Sequence, residues 1–134
     1  MTCLFTTFPE KINWEQLRQD LIDDDFHNGR TTEQLRASFL ASQQQIYVLD
    51  GDRCIGTARA LSDGICNAYI IDVWTQSRYR HQGIGLEMMK RLLNACPGQH
   101  INLFTDDACE FYMKAGFTER PVGMETVSGK WLQA

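Results

Sequence analysis

Residues 80–85, with the sequence Arg-His-Gln-Gly-Ile-Gly, have the types and spacing that can bind a phosphate group. The segment follows an apolar run typical of a strand and precedes residues with helical spacing. Glycines let the backbone approach an anion closely, and the unpaired N–H groups of a helix's first turn point toward it. Arg80 can add positive charge, and Arg78 is a second candidate. The pattern indicates a phosphate-binding loop, although it also fits a turn without a ligand.

Two other phosphate-binding loops are excluded by their spacing. A dinucleotide-binding loop needs three glycines directly behind the first strand of a βαβ unit and an acidic residue about twenty residues later. A Walker loop needs Gly-Lys-Ser/Thr, which does not follow here.

The periodicity predicts which elements position this loop. Asn13 is suited to cap a first helix that ends near Asp23. Thr31 and Thr32 are suited to cap a second helix that ends near Ser42. A hairpin turning at Asp50-Gly51-Asp52 follows. The further predicted elements are a buried strand over 65–74, a helix over 83–96, a strand over 101–104, a helix over 106–115 closed by Gly116, and closing strands at Phe117 and Met124–Trp131. A strand, loop, helix and strand in succession form a crossover unit, which predicts that its two strands are parallel.

The composition is typical of one soluble globular domain. The chain has 134 residues, 43% hydrophobic and 22% charged, which indicates a single domain over 1–134 rather than a disordered segment. No apolar run is long enough to span a membrane, and the N-terminus lacks a signal core, so we expect a cytoplasmic protein with no membrane partner. A net charge of −4 without a basic cluster argues against nucleic acid. Five dispersed cysteines predict neither disulfides nor a metal site.

Two sequence blocks resemble the GNAT superfamily of acetyltransferases. Arg80, Gly83 and Gly85 match its Gln/Arg-x-x-Gly-x-Gly/Ala signature, and Phe-Tyr-Met-Lys-Ala-Gly-Phe at 111–117 is similar to its Phe/Leu-Tyr-x-Lys-x-Gly-Phe segment. The resemblance implies an α/β (α+β) fold. Its central sheet is mixed and mostly antiparallel, with six or seven strands, a parallel pair formed by the fourth and fifth, and about four flanking helices.

The same resemblance implies an N-acetyltransferase that moves an acetyl group from acetyl-CoA to an amine, as a monomer or homodimer. Within the superfamily, the segments at 56–63, 67–68, 72–73 and 102–104 look like the small plastid and cyanobacterial enzymes described as serotonin N-acetyltransferases. An arylalkylamine, a polyamine or a protein lysine is therefore the expected acceptor. A CoA-binding sensor without catalysis and a pure interaction domain are the alternatives.

The resemblance also assigns roles to residues. Tyr112 is the expected general acid for the departing thiolate. Asp72 is the favoured general base, with Tyr69 and His81 as alternatives. The acidic group Asp20, Asp23, Asp24 and Asp25 either attracts a cationic amine or forms a solvated loop, and Thr105 stands where the family often has Asn. The expected acetyl-CoA contacts are Val73, Trp74 and Thr75 for the pantetheine arm and thioester, and Arg80, His81, Gln82, Gly83, Ile84, Gly85 and Leu86 for the pyrophosphate.

Overall fold

The computed structural model describes residues 2–133. One five-stranded sheet, in the order β1-β2-β3-β4-β5, is antiparallel except for the parallel β4–β5 pair. The α/β fold with a parallel fourth and fifth strand and four helices is therefore confirmed. Its elements are β1 (Leu4–Thr6), α1 (Trp14–Asp23), α2 (Thr32–Leu40), β2 (Gln44–Asp50), β3 (Arg53–Ser62), β4 (Asn67–Thr75), α3 (Ile84–Asn94), β5 (His100–Asn102) and α4 (Cys109–Lys114), with 3-10 turns at Pro9–Lys11 and Ser77–Tyr79.

The predicted caps begin the first two helices. The Asn13 side chain accepts the Gln16 N–H at 3.1 Å, which starts α1. Thr31 and Gln34 form a reciprocal capping box at the start of α2, in which each side chain accepts the other's backbone N–H.

Two predicted elements begin later than expected, and local hydrogen bonds explain both. The Asp63 carboxylate accepts the backbone N–H groups of Ile65 and Asn67, so a turn occupies residues 63–66 and β4 begins at Asn67. These bonds hold the pKa of the Asp63 carboxyl below its usual range. The Thr105 hydroxyl accepts the Ala108 N–H at 3.0 Å, and α4 begins at Cys109.

The predicted number of strands was too high. Within residues 2–133, neither Phe117 nor the segment Met124–Trp131 forms a strand, so the sheet ends at the three-residue strand β5. The segment and Gly123, the residue before it, pack instead through individual contacts. A Cβ on Gly123 would lie 2.3 Å from the Phe104 ring, and the Trp131 indole donates to the Asn28 carbonyl at 3.0 Å. Such side-chain contacts do not supply the regular backbone ladder of a strand.

The sheet separates two apolar cores. One lies against α3 and includes Ile70, Met88 and Met89, all buried. The other lies against α1 and α2 and includes Leu17, Phe39, Tyr47 and Trp74. The sheet is therefore covered on both faces, as expected for the buried strand β4.

No helix within residues 2–133 is long and apolar enough to cross a membrane. All five cysteines are free thiols. Over the same range, no group of His, Cys, Asp and Glu side chains has the arrangement needed to hold a metal ion.

Candidate active site

A β-bulge interrupts β4 at Asp72. Thr57 pairs with Trp74 and Arg59 pairs with Ile71, so one residue of β3 lies opposite both Asp72 and Val73. Asp72 has a φ of 57°, in the left-handed region. The extra residue reverses the side-chain alternation beyond it, so that β4 presents different positions to the two cores on either side of the bulge.

Beyond Tyr69, the edge of β4 that faces β5 is unpaired. The parallel ladder joins only Asn67, Ala68 and Tyr69 to β5, whereas β4 continues to Thr75. We call this unpaired edge, residues 70–75, the β4 edge. Trp74 is only 2% exposed, and its indole donates to Asp24 at 3.0 Å. Its side chain is therefore committed to the α1 side, which leaves backbone groups to face the gap between the strands.

The loop before α3 has the geometry that the sequence predicts for anion binding. His81 and Gly83 have φ values of 64° and 82°, and the helix begins at Ile84. Among residues 2–133, no backbone or side-chain acceptor takes the N–H groups of Ile84, Gly85 and Leu86. Three donors at the positive end of the α3 dipole are thus free to bind a negatively charged group.

Arg80 contacts the end of β4 and α1. Its Nε donates to the Thr75 carbonyl at 3.0 Å, and its Nη2 lies 3.6 Å from the Asp24 carboxylate. The side chain is about half exposed. The structure therefore holds this predicted phosphate ligand beside the β4 edge.

Tyr112 lies in α4 beside Phe111, which contacts the first turn of α3. Its ring packs edge to face on the rings of Phe111 and Phe117, with distances between ring centroids of 4.9 and 5.9 Å. Phe111 in turn lies 3.0 Å from where a Cβ on Gly85 would stand. Over residues 2–133 the Tyr112 hydroxyl has no hydrogen-bond partner, and burial alone raises the pKa of Tyr112 above its usual value. The phenol therefore keeps its proton at neutral pH, as a proton donor must.

Asp72 is bound on both carboxylate oxygens. Arg30 donates to them from Nη1 and Nη2 at 2.9 and 3.0 Å, and Arg59 Nε donates to Oδ2 at 2.6 Å. Sequence reasoning missed both arginines as site residues. Arg59 could have been noticed because it is a charged residue between two alanines of a predicted strand, whereas Arg30 carries no such signal.

The other two candidate bases lie in different surroundings. Tyr69 is half-buried, and its ring packs edge to face on Phe104 at 6.2 Å. His81 is exposed in the loop before α3. Over residues 2–133, neither side chain hydrogen-bonds to Arg30, Asp72 or Arg59.

Two residues of the acidic group at the end of α1 accept hydrogen bonds from other parts of the protein. Asp20 is 2% exposed and accepts from Arg53 at 2.6 and 3.0 Å. Asp24 accepts the Trp74 indole and the Ser77 N–H. The expectation that the whole group attracts an amine or is solvated is therefore wrong for these two residues, whereas Asp23 and Asp25 are exposed.

Relatives among known proteins share this arrangement of elements. A protein from Xanthomonas campestris pv. campestris assigned to the GNAT family superposes with a TM-score of 0.82 at 20% identity, over 99% of each chain. A Deinococcus radiodurans R1 protein assigned as an acetyltransferase gives 0.81 at 27% identity, over 92% of this chain and 87% of that one. A Clostridium acetobutylicum protein described as a predicted acetyltransferase, solved with acetyl-CoA, gives 0.71 at 19% identity, over 94% and 96%.

Curated relatives match a shorter stretch. GCN5-related N-acetyltransferase 2, chloroplastic, of Arabidopsis thaliana is 36% identical over 54% of this chain and 30% of its own length. Histone acetyltransferase TAP1 of Glycine max is 38% identical over 54% and 33%. The chain thus spans about a third of the length of these relatives. The sequence model of the Acetyltransferase (GNAT) family matches residues 10–117, from the turn before α1 through the loop before α3 to Tyr112 and Phe117, and the chain therefore belongs to that family.

Proposed function

We propose that the chain is an acetyl-CoA-dependent N-acetyltransferase that joins an acetyl group directly to a primary amine. One observation carries the proposal: Gly85, in the first turn of α3 with its three free N–H groups, lies between Thr75 at the end of the β4 edge and Phe111, on which Tyr112 packs. This combination offers an anion site, backbone hydrogen bonds and a proton donor to one substrate.

The described residues fit acetyl-CoA, which supplies an acetyl group activated as a thioester. The N–H groups of Ile84, Gly85 and Leu86 would bind its pyrophosphate, and the open space above Gly83 admits it closely. Arg80, His81 and Gln82 belong to the same loop. Backbone groups of Val73, Trp74 and Thr75 on the β4 edge would hydrogen-bond the pantetheine amides and polarise the thioester carbonyl.

Tyr112 completes the exchange of bonds. As the amine nitrogen bonds to the acetyl carbon and the carbon–sulfur bond breaks, the Tyr112 hydroxyl gives its proton to the departing thiolate. The raised pKa of Tyr112 keeps that proton available. The amine's own proton leaves to solvent or to a base, and Asp72 was the predicted base.

The amine must be neutral before it attacks. For a lysine-like amine with a pKa of about 10.4, deprotonation at pH 7 costs roughly 4–5 kcal/mol. Among small amines and protein lysines, the acceptor stays open. A relative named as a histone acetyltransferase supports a protein lysine, whereas the resemblance to serotonin N-acetyltransferases supports an arylalkylamine. The predicted cytoplasmic location and the monomeric or homodimeric state also stay predictions.

Replacing Gly83 with valine tests the anion site. A β-branched residue is strained at a φ of 82°, so the loop would rotate and turn its N–H groups away. Hydrogen bonds to a charged group contribute about 1.5–3 kcal/mol each, so we expect the Kd for acetyl-CoA to rise by about tenfold or more in titration calorimetry.

Gly98→Val is the matched control, because Gly98 has a φ of 76° and open space around it but lies after α3. It should lower the melting temperature without changing the Kd. Equal loss of affinity in both variants would show that strain alone, and not the loop, explains the effect.

Thiol release from acetyl-CoA tests the activity. The panel contains serotonin, tryptamine, spermidine and a lysine peptide, each with the unmodified chain. Release that depends on one class of amine would support the acetyltransferase and identify its acceptor. Binding of acetyl-CoA without release from any amine would instead favour the non-catalytic sensor.

A further inference from the structure

Arg30, Asp72 and Arg59 form a buried group on the α2 side of the sheet, which we call the clamp. Their exposed fractions are 5%, 8% and 9%. Arg59 also donates to the Ser38 carbonyl at 3.3 Å and to the Ser42 hydroxyl at 3.1 Å, and Arg30 donates to the Ser38 hydroxyl at 3.1 Å. Three parts of the chain thus meet at one carboxylate: the α1–α2 loop, β3 and β4.

The carboxylate belongs to the residue that forms the bulge. A left-handed φ is unfavourable for a residue other than glycine and persists where its surroundings hold it. The clamp holds the Asp72 side chain, and the Thr57 hydroxyl donates to the Asp72 carbonyl at 2.9 Å. Both ends of the bulge residue are therefore tied to neighbouring elements.

The bulge lies within the unpaired part of β4. Pairing with β5 ends at Tyr69, the bulge follows at Asp72, and the strand ends at Thr75. A bulge bends its strand and increases the local twist. The position and direction of the β4 edge therefore depend on the conformation of Asp72.

We propose that Arg30 and Arg59 are positioning residues, which hold the bulge through Asp72 and so set the gap that receives the thioester. The inference rests on the proposed function and gives Asp72 a different role from the predicted general base. Both of its oxygens already accept hydrogen bonds from guanidinium groups, and the side chain is 8% exposed. A base would need an oxygen that faces the incoming amine.

Three variants separate the two roles. Asp72→Asn keeps a residue that tolerates a left-handed φ but removes the charge. Arg59→Lys and Arg30→Lys leave the carboxylate in place and remove the planar fork that fits it. Asp20→Asn is the matched control, because Asp20 and Arg53 form a second Asp–Arg pair and, over residues 2–133, neither side chain hydrogen-bonds to β4 or to the loop before α3.

Two measurements are made on each variant. Amide hydrogen exchange of peptides covering residues 70–75 reports the β4 edge without any substrate. Thiol release gives kcat, the KM for acetyl-CoA and the pH profile. We expect Asp72→Asn and Arg59→Lys to raise the exchange rate at the β4 edge at least tenfold and to lower kcat/KM by about ten- to a hundredfold, with the pH profile unchanged.

The control sets the standard for a purely structural effect. Asp20→Asn should lower the melting temperature but keep both the exchange rate at the β4 edge and kcat/KM. Unchanged exchange in Asp72→Asn and in both lysine variants would overturn the clamp. Loss of the acidic limb of the pH profile in Asp72→Asn, with full activity in Arg59→Lys, would overturn it in favour of the base.

Failure of the proposed function gives a different result. Absence of thiol release from the unmodified chain with every amine would refute the acetyltransferase, while hydrogen exchange would still decide whether the clamp holds the β4 edge. If Asp72→Asn does not fold, the two lysine variants decide by the same exchange criterion.

Discussion

Asp72→Ala is expected to lower the free energy of unfolding by about 3–5 kcal/mol, because it leaves two buried guanidinium groups without their carboxylate. Removing one partner of a buried ion pair exposes the full desolvation cost of the other. Urea unfolding followed by tryptophan fluorescence measures the loss. Glycine tolerates the left-handed φ of this position. Asp72→Gly should therefore be more stable than Asp72→Ala by the cost of backbone strain alone, and should still lose the stability that the ion pairs provide.

Arg30→Met provides the comparison, because Arg59 still pairs with Asp72 in that variant. It should lose less stability than Asp72→Ala. The double variant, Arg30→Met with Asp72→Ala, should be more stable than Asp72→Ala alone. It leaves only one buried guanidinium group without a carboxylate, whereas Asp72→Ala leaves two. A loss below about 1 kcal/mol in Asp72→Ala would contradict the clamp as a source of stability.

Tyr112→Phe is expected to lower kcat by about a hundredfold, the range in which positioned acids contribute. Phenylalanine keeps the edge-to-face packing against Phe111 and Phe117, so the melting temperature and the Kd for acetyl-CoA should change little. Thiol release at saturating acetyl-CoA measures the effect. Unchanged kcat would refute the role of Tyr112 as the acid.

The pH dependence follows from the raised pKa of Tyr112. Because burial raises that pKa, the proton-donating form is present at neutral pH and is lost only above the ordinary tyrosine pKa of about 10. Any fall in kcat between pH 7 and 9 should therefore be equal in the unmodified chain and in Tyr112→Phe. Tyr47→Phe is the matched control, since the Tyr47 hydroxyl bonds Gln45 away from the gap, and it should keep full kcat.

Features that depend on neighbours in the chain were predictable from the sequence. Asn13 and Thr31 cap helices because each side chain reaches an N–H three residues later. The turn at residues 50–52 and the loop at 80–85 have positive φ values at Gly51 and Gly83, where glycine is tolerated. The periodicity indicated each helix and the sheet's main strands, and the family model agrees with the resemblance. The predicted roles of individual site residues stay predictions.

Features that join distant parts of the chain were decided by the tertiary structure alone. Arg30 and Asp72 are 42 residues apart, and no local pattern reveals that their side chains meet. The bulge depends on the pairing register of β3 and β4, which a strand's alternation does not specify when both faces are buried. The final segment has the composition of a strand, yet it does not pair with β5: Gly123, just before it, packs on Phe104, and Trp131 donates to the Asn28 carbonyl. The sequence by itself determined the helices, the main strands and the predicted phosphate-binding loop, because their hydrogen bonds are local. The gap beside β4 and the clamp behind it required long-range packing.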